Sequence, residues 1–138
     1  MSQAELDALF RTLPAGPIPN GQAKGTAIIA PGRQFTKEIA EIVNYFAWQG
    51  KTFDGAHGVL SNRISPLGVN AIIAEVYKDK SWFDGGECIA LDYSKTSLVA
   101  HWVRDEIRQV HPGFYLGIVY WGKTKLIDFC LEFPEAAA

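Results

Sequence analysis

Cysteine is scarce: Cys88 and Cys130 are the only two in 138 residues, with no Cys-x-x-Cys pair and no metal-ligand spacing. Isolated cysteines of this kind are read as small buried hydrophobes in place of a disulfide, which suits a reducing compartment. The three histidines, His57, His101 and His111, fall in different turns without an i, i+4 pair, so no metal is expected. No apolar run reaches the about 18 residues of a membrane span. The stretch 1–10 (MSQAELDALF) carries acids where a signal peptide has a basic start and an apolar centre, so a cytoplasmic location is expected. Gly-x-Ser-x-Gly, Gly-x-Gly-x-x-Gly and the Walker loop are all missing, which leaves serine hydrolase, dinucleotide and nucleoside-triphosphate chemistry without support; no cofactor is expected. A net charge of -2, with scattered Lys and Arg, gives no electrostatic footprint for nucleic acid or an anionic membrane.

What is present is apolar and aromatic. Residues are 48% hydrophobic and 20% charged, enough for a single domain over 1–138 with a sizeable core. Ser2 and Glu5 have capping-box spacing, and Leu6, Leu9, Phe10 and Leu13 share one helical face, so a short helix ends before Pro14. It docks on the outside of the domain or on a partner, and a homodimer through this helix is one arrangement it permits. The rest of 1–25 is an irregular loop rich in Pro and Gly. The run 25–30 (GTAIIA) reads as a strand. Thr36 is a good N-cap, and Ile39, Ile42, Val43, Phe46 and Ala47 form a stripe, predicting a second helix over 36–48 that caps a barrel or covers a sheet.

From there the chain reads as antiparallel β. Strands are predicted over 58–64 (GVLSNRI), 69–78 (VNAIIAEVYK) and 87–94 (ECIALDYS), with the loop 79–86 between the last two. A three-strand meander follows over 102–133. Seven or eight neighbouring strands without intervening helices favour an up-and-down antiparallel barrel with two short helices.

The meander carries the charges that single it out. If His111-Pro112-Gly113 is a three-residue loop, Arg104, Glu106 and Arg108 share the apolar face of Phe114, Leu116, Ile118 and Tyr120. Asp105, Ile107 and Gln109 then share the other face with Tyr115, Gly117 and Val119. A two-residue turn at Gly122-Lys123 sets Ile118 opposite Ile127, Leu116 opposite Phe129 and Gly117 opposite Asp128, so that Ile127, Phe129 and Leu131 join the Leu116 face. Buried charges have to be paired or functional. The candidate ligand-binding residues are Arg63, Glu75, Tyr93, Arg104, Glu106, Tyr115 and Tyr120, with the arginines holding an anionic or carbonyl group and the tyrosines donating hydroxyls. Glu106 and Tyr120 are the best catalytic candidates, Glu106 as a buried acid or base. The alternative for the same residues is a charged surface ladder without chemistry.

The runs AWQGKTFDG, GVLSNRI, LDYS, VRDEIRQVHPGFYLGIVYW and IDFCLEF, between Ala47 and Phe133, resemble a bacterial family of small, largely uncharacterised lipocalin-like (calycin) proteins. They are also distantly similar to families that pair a Gly-x-Trp-x-Gly domain with a domain of unknown function; Trp48-Gln49-Gly50 supplies half of that motif. The resemblance implies a β-barrel with a cavity. Two functions remain from different classes. One is a binder of a small hydrophobic or aromatic molecule with an acidic or carbonyl group. The other is a cofactor-free lyase, decarboxylase or isomerase using a cavity Glu, Tyr and Arg, as phenolic acid decarboxylases do in a similar barrel; their motifs are absent here.

Overall fold

Runs of β-branched and aromatic residues, broken by Gly-containing turns, pair here with their sequence neighbours until the last meets the first. The computed structural model describes residues 2–28, 37, 40, 51–63, 70–95 and 102–134, the side chains of 62, 63 and 70–72 excepted. Helix α1 (Gln3–Thr12) precedes β1 (Gly21–Ile28), β2 (Lys51–Asp54), β3 (Val59–Arg63), β4 (Asn70–Lys80), β5 (Glu87–Asp92), β6 (Val103–His111), β7 (Phe114–Trp121) and β8 (Thr124–Glu132). All eight strands form one closed barrel in sequence order, sealed by β1 against β8 with Thr26 opposite Cys130. Closure leaves the sheet without exposed edges. The predicted helix over 36–48 lies outside the described residues, apart from Lys37 and Ala40. Strand β2 is the element that sequence reasoning did not name.

The capping box forms as expected: Ser2 Oγ accepts from the Glu5 backbone at 3.1 Å and Glu5 accepts from the Ser2 backbone at 2.9 Å. Leu6 and Phe10 are buried against Leu116, Ile118 and Tyr120 on the outer wall of β7. The apolar face of α1 is therefore occupied by its own barrel. After the helix, the segment 13–20 crosses one end of the barrel. Ala15 enters the core, Pro14 O accepts from Gln109 N at 3.0 Å, and Pro17 O accepts from the Tyr115 hydroxyl at 2.7 Å.

The inner wall is set by alternation along the strands. Phe53, Leu60, Ile89, Leu91, Ile107, Val119, Ile127, Phe129 and Leu131 belong to one buried cluster within the barrel. Gly117 faces inward without a side chain because the Phe129 ring lies across it; a methyl there would land in the ring.

Two registers differ from expectation. The β6–β7 connection is a two-residue turn at Pro112-Gly113, with His111 opposite Phe114, and a bulge at Val110 absorbs the extra residue. Arg108 still meets Leu116, and Glu106 meets Ile118, so the predicted faces of β6 and β7 hold. In β8 a bulge at Leu126 shifts the pairing by one: Ile118 faces Asp128, and Gly117 faces Phe129. Ile127, Phe129 and Leu131 consequently face the barrel centre and not the Leu116 side, a correction caused by one inserted residue.

Candidate functional site

Strand β6 is buried on both faces from Val103 to Arg108, so each of its charges must find partners in one of two layers. The outer layer holds Arg104, Glu106 and Arg108 between the barrel and a cover formed by α1 and the loop 81–86. Glu106 accepts from Ser81 Oγ at 2.6 Å and from Trp82 N at 2.7 Å, and its Oε2 lies 3.1 Å from Arg104 Nη2. Arg104 also donates to Asp79 at 3.0 Å and to Lys80 O at 3.0 Å, with its guanidinium over the Trp82 ring. Arg108 donates to Asp84, to Phe10 O and to Glu87 O, tying β6 to the loop, the helix and β5. Hydrogen bonds to Arg104 and Arg108 hold the Asp79 and Asp84 carboxyls below the usual range.

These contacts correct the expectation that Arg104, Glu106 and Tyr120 line the interior. All three stand on the outer wall. Tyr120 is buried edge-on to Trp82 at 5.4 Å, and burial raises its hydroxyl pKa. Glu106 is engaged with Ser81, Trp82 and Arg104, an arrangement that fastens the cover to β6. Glu75 is half-buried on the same outer side, in register with Asp92 and 3.9 Å from Lys95 Nζ. Arg63 ends β3, and its side chain lies outside the described residues. Tyr115 faces inward but gives its hydroxyl to Pro17 O.

The inner wall has its own polar group. Asp105 sits opposite Leu91 on one side and Val119 on the other, wholly buried in an apolar row. Tyr93, which follows β5 and was a predicted site residue, donates its hydroxyl to Asp105 Oδ2 at 3.1 Å. Among the described residues nothing donates to Asp105 Oδ1. Lys51, the first residue of β2, is 2% exposed, and its charge acts on Asp105. Burial raises the Asp105 pKa, against the opposing pull of Lys51 and of the Tyr93 hydrogen bond. Burial lowers that of Lys51, partly offset by Asp105. All three residues lie in the half of the barrel away from the segment 13–20, at the start of β2, the end of β5 and the start of β6.

Lys51 and Asp105 were not among the predicted site residues. Asp105 had a signal: once its neighbours are assigned to the outer face, it is the lone charge left in the inner row. Lys51 had none, because its strand went unrecognised. Chemically, the group offers a buried acid, a phenol and an amine within an apolar surround.

No family model matches the chain, and no curated protein matches it. Among solved structures the chain is similar to a crystal structure of a protein from Thermomonospora curvata. The two are 19% identical, with 96% of this chain and 87% of that chain covered and a TM-score of 0.63. That likeness bears on the fold alone.

Proposed function

We propose that this is a lipocalin-like barrel that binds a small hydrophobic or aromatic molecule through a carbonyl or carboxyl group, anchored at Asp105, Tyr93 and Lys51. The observation that carries the reading is Asp105 Oδ1, a buried oxygen with no donor among the described residues. Buried polar atoms are almost always hydrogen-bonded, so an inner-wall oxygen without a donor among the described residues supports a ligand group there. Burial raises the pKa of the carboxyl and so favours its protonated form, which has a hydrogen to donate to a carbonyl or carboxylate oxygen. The positive form of Lys51 favours an acidic ligand, and the surrounding aliphatic and aromatic side chains favour an apolar body.

The same acid supports a second reading. A carboxyl titrating near neutrality beside a tyrosine hydroxyl is suited to proton transfer, so a cofactor-free lyase, decarboxylase or isomerase would use Asp105 where Glu106 was expected.

The experiment is a fluorescence titration with cis-parinaric acid, a hydrophobic carboxylate, alongside native mass spectrometry for a co-purified small molecule. The reading predicts saturable one-to-one binding, weakened about tenfold in Asp105→Asn and unchanged in Glu75→Gln on the outer wall. Turnover of an aromatic acid that is lost in Asp105→Asn with affinity kept would favour the enzyme. No co-purified molecule and no saturable binding would contradict both.

A further inference from the structure

Trp82 and Trp102 are 48% and 46% exposed, and both line one open cleft of about 580 Å³ on the outer wall. A cleft of this size falls within the roughly 300–1,000 Å³ of small-molecule sites. It is separate from the inner-wall group, because Tyr77, Asp92 and Arg104 lie on the opposite face of their strands from Tyr93 and Asp105.

Neither indole is loose. Trp82 rests on the Arg104 guanidinium at 4.4 Å, meets Tyr120 edge-on and donates its backbone N–H to Glu106. Trp102 is braced against Trp121, with ring centres 5.8 Å apart, and its carbonyl accepts from Gly122 N at 3.0 Å. Large aromatic rings held in place with about half their surface exposed are the form that binding surfaces take.

Between the rings the cleft is polar. Asp92 accepts from the Tyr77 hydroxyl at 2.7 Å and from Ser94 N and Oγ, which fixes its carboxylate while leaving lone pairs to spare. Among the described lining residues the charges cancel, since Asp79 and Asp92 stand against Arg104 and Lys123. This balance, with two aromatic platforms and both donors and acceptors, favours a neutral ligand with apolar faces and a polar perimeter.

We propose that this cleft binds a neutral saccharide, its pyranose C–H faces stacked on Trp82 and Trp102 and its hydroxyls bonded to Asp92, Tyr77 and Arg104. An ionic ligand gains nothing from the balanced charge, and a lipid tail leaves the carboxylates unused. The open shape admits a ring within a longer chain.

The test is calorimetric titration of the full chain with cellotriose, maltotriose and tri-N-acetylchitotriose, with adenosine as a planar competitor class. At least one trisaccharide binds saturably, and its affinity changes little with added salt. Trp102→Ala, a surface change, weakens it about tenfold or more, Trp102→Phe restores most of the loss, and Lys24→Ala, exposed on β1 away from the cleft, leaves it unchanged. Absence of saturable binding across the three sugars, binding of adenosine in their place, or an affinity unmoved by Trp102→Ala would overturn the proposal.

Discussion

Arg108 and Asp84 are joined by two hydrogen bonds, Nη1 to Oδ2 at 2.6 Å and Nη2 to Oδ1 at 2.7 Å. One guanidinium on β6 thereby clamps the loop 81–86, and its remaining donors reach Phe10 O and Glu87 O. The planar fork suits this arrangement and a lysine ammonium does not. Arg108→Met, which leaves Asp84 and two carbonyls short of their donors, is expected to destabilise the protein by about 3–5 kcal/mol. Arg108→Lys should cost roughly 2 kcal/mol through lost charge-assisted bonds. Urea denaturation of both variants checks the order.

Glu106 was the expected acid or base, and its surroundings predict a different role. In Glu106→Gln the new amide can accept from Ser81 or Trp82 through its oxygen but turns an N–H₂ towards the other donors. A loss of about 2–3 kcal/mol follows from the broken bonds to charged and buried groups. Amide hydrogen exchange should quicken across 81–86, while cis-parinaric acid binding survives. Lost binding with unchanged exchange would return Glu106 to the site.

The pH dependence of stability carries the signature of the inner pair. Asp105 keeps its proton in the folded state up to about 7, whereas the unfolded carboxyl releases it near the ordinary value of about 4. Between those values the folded protein binds the extra proton, so its stability falls as pH rises. Lys51, lowered to about 7, acts above that point: the unfolded chain holds the proton the folded one has lost, and stability rises again towards about 10. Asp79 and Asp84, held low by Arg104 and Arg108, contribute stability that is present above about pH 4 and lost only below it, outside this window. Urea midpoints should therefore pass through a minimum near neutrality, and Asp105→Asn should remove the fall on its acid side. A wild-type midpoint that climbs steadily from about pH 4 to 7, equally in the variant, would contradict the assignment.

Gly117 tests the inner packing. Adding a methyl against the Phe129 ring should cost about 1–3 kcal/mol in Gly117→Ala. Combining it with Phe129→Leu should recover part of the loss, since the smaller side chain vacates the position. Strict additivity in the double-mutant cycle would mean that the two residues do not touch.

The antiparallel barrel was legible because strand runs and Gly turns alternate plainly from residue 58 onward, and Ser2 and Glu5 announced α1. Which wall faced inward was not. FYLGIVYW is apolar on both faces, one for the barrel centre and one for Leu6 and Phe10 of α1. A strand covered on both sides shows no contrast to read, and the charged face of β6 was placed inside because its partners on β7 look like core. Bulges were equally silent. Val110 happened to preserve the predicted parity, while Leu126 reversed it, and neither residue carries a local mark that distinguishes it from its neighbours. Lys51–Asp54 was missed as a strand because four residues are too few for a period to emerge.

A crystal structure of the protein soaked with a hydrophobic carboxylic acid, read at Asp105 Oδ1, tests the central claim most directly. Ligand density is expected on the inner wall, with an acid or carbonyl oxygen in hydrogen-bonding range of Asp105 and near Tyr93 and Lys51. A barrel centre filled by its own side chains, with a water or a protein group bonded to Oδ1 and the acid nowhere inside, would contradict it.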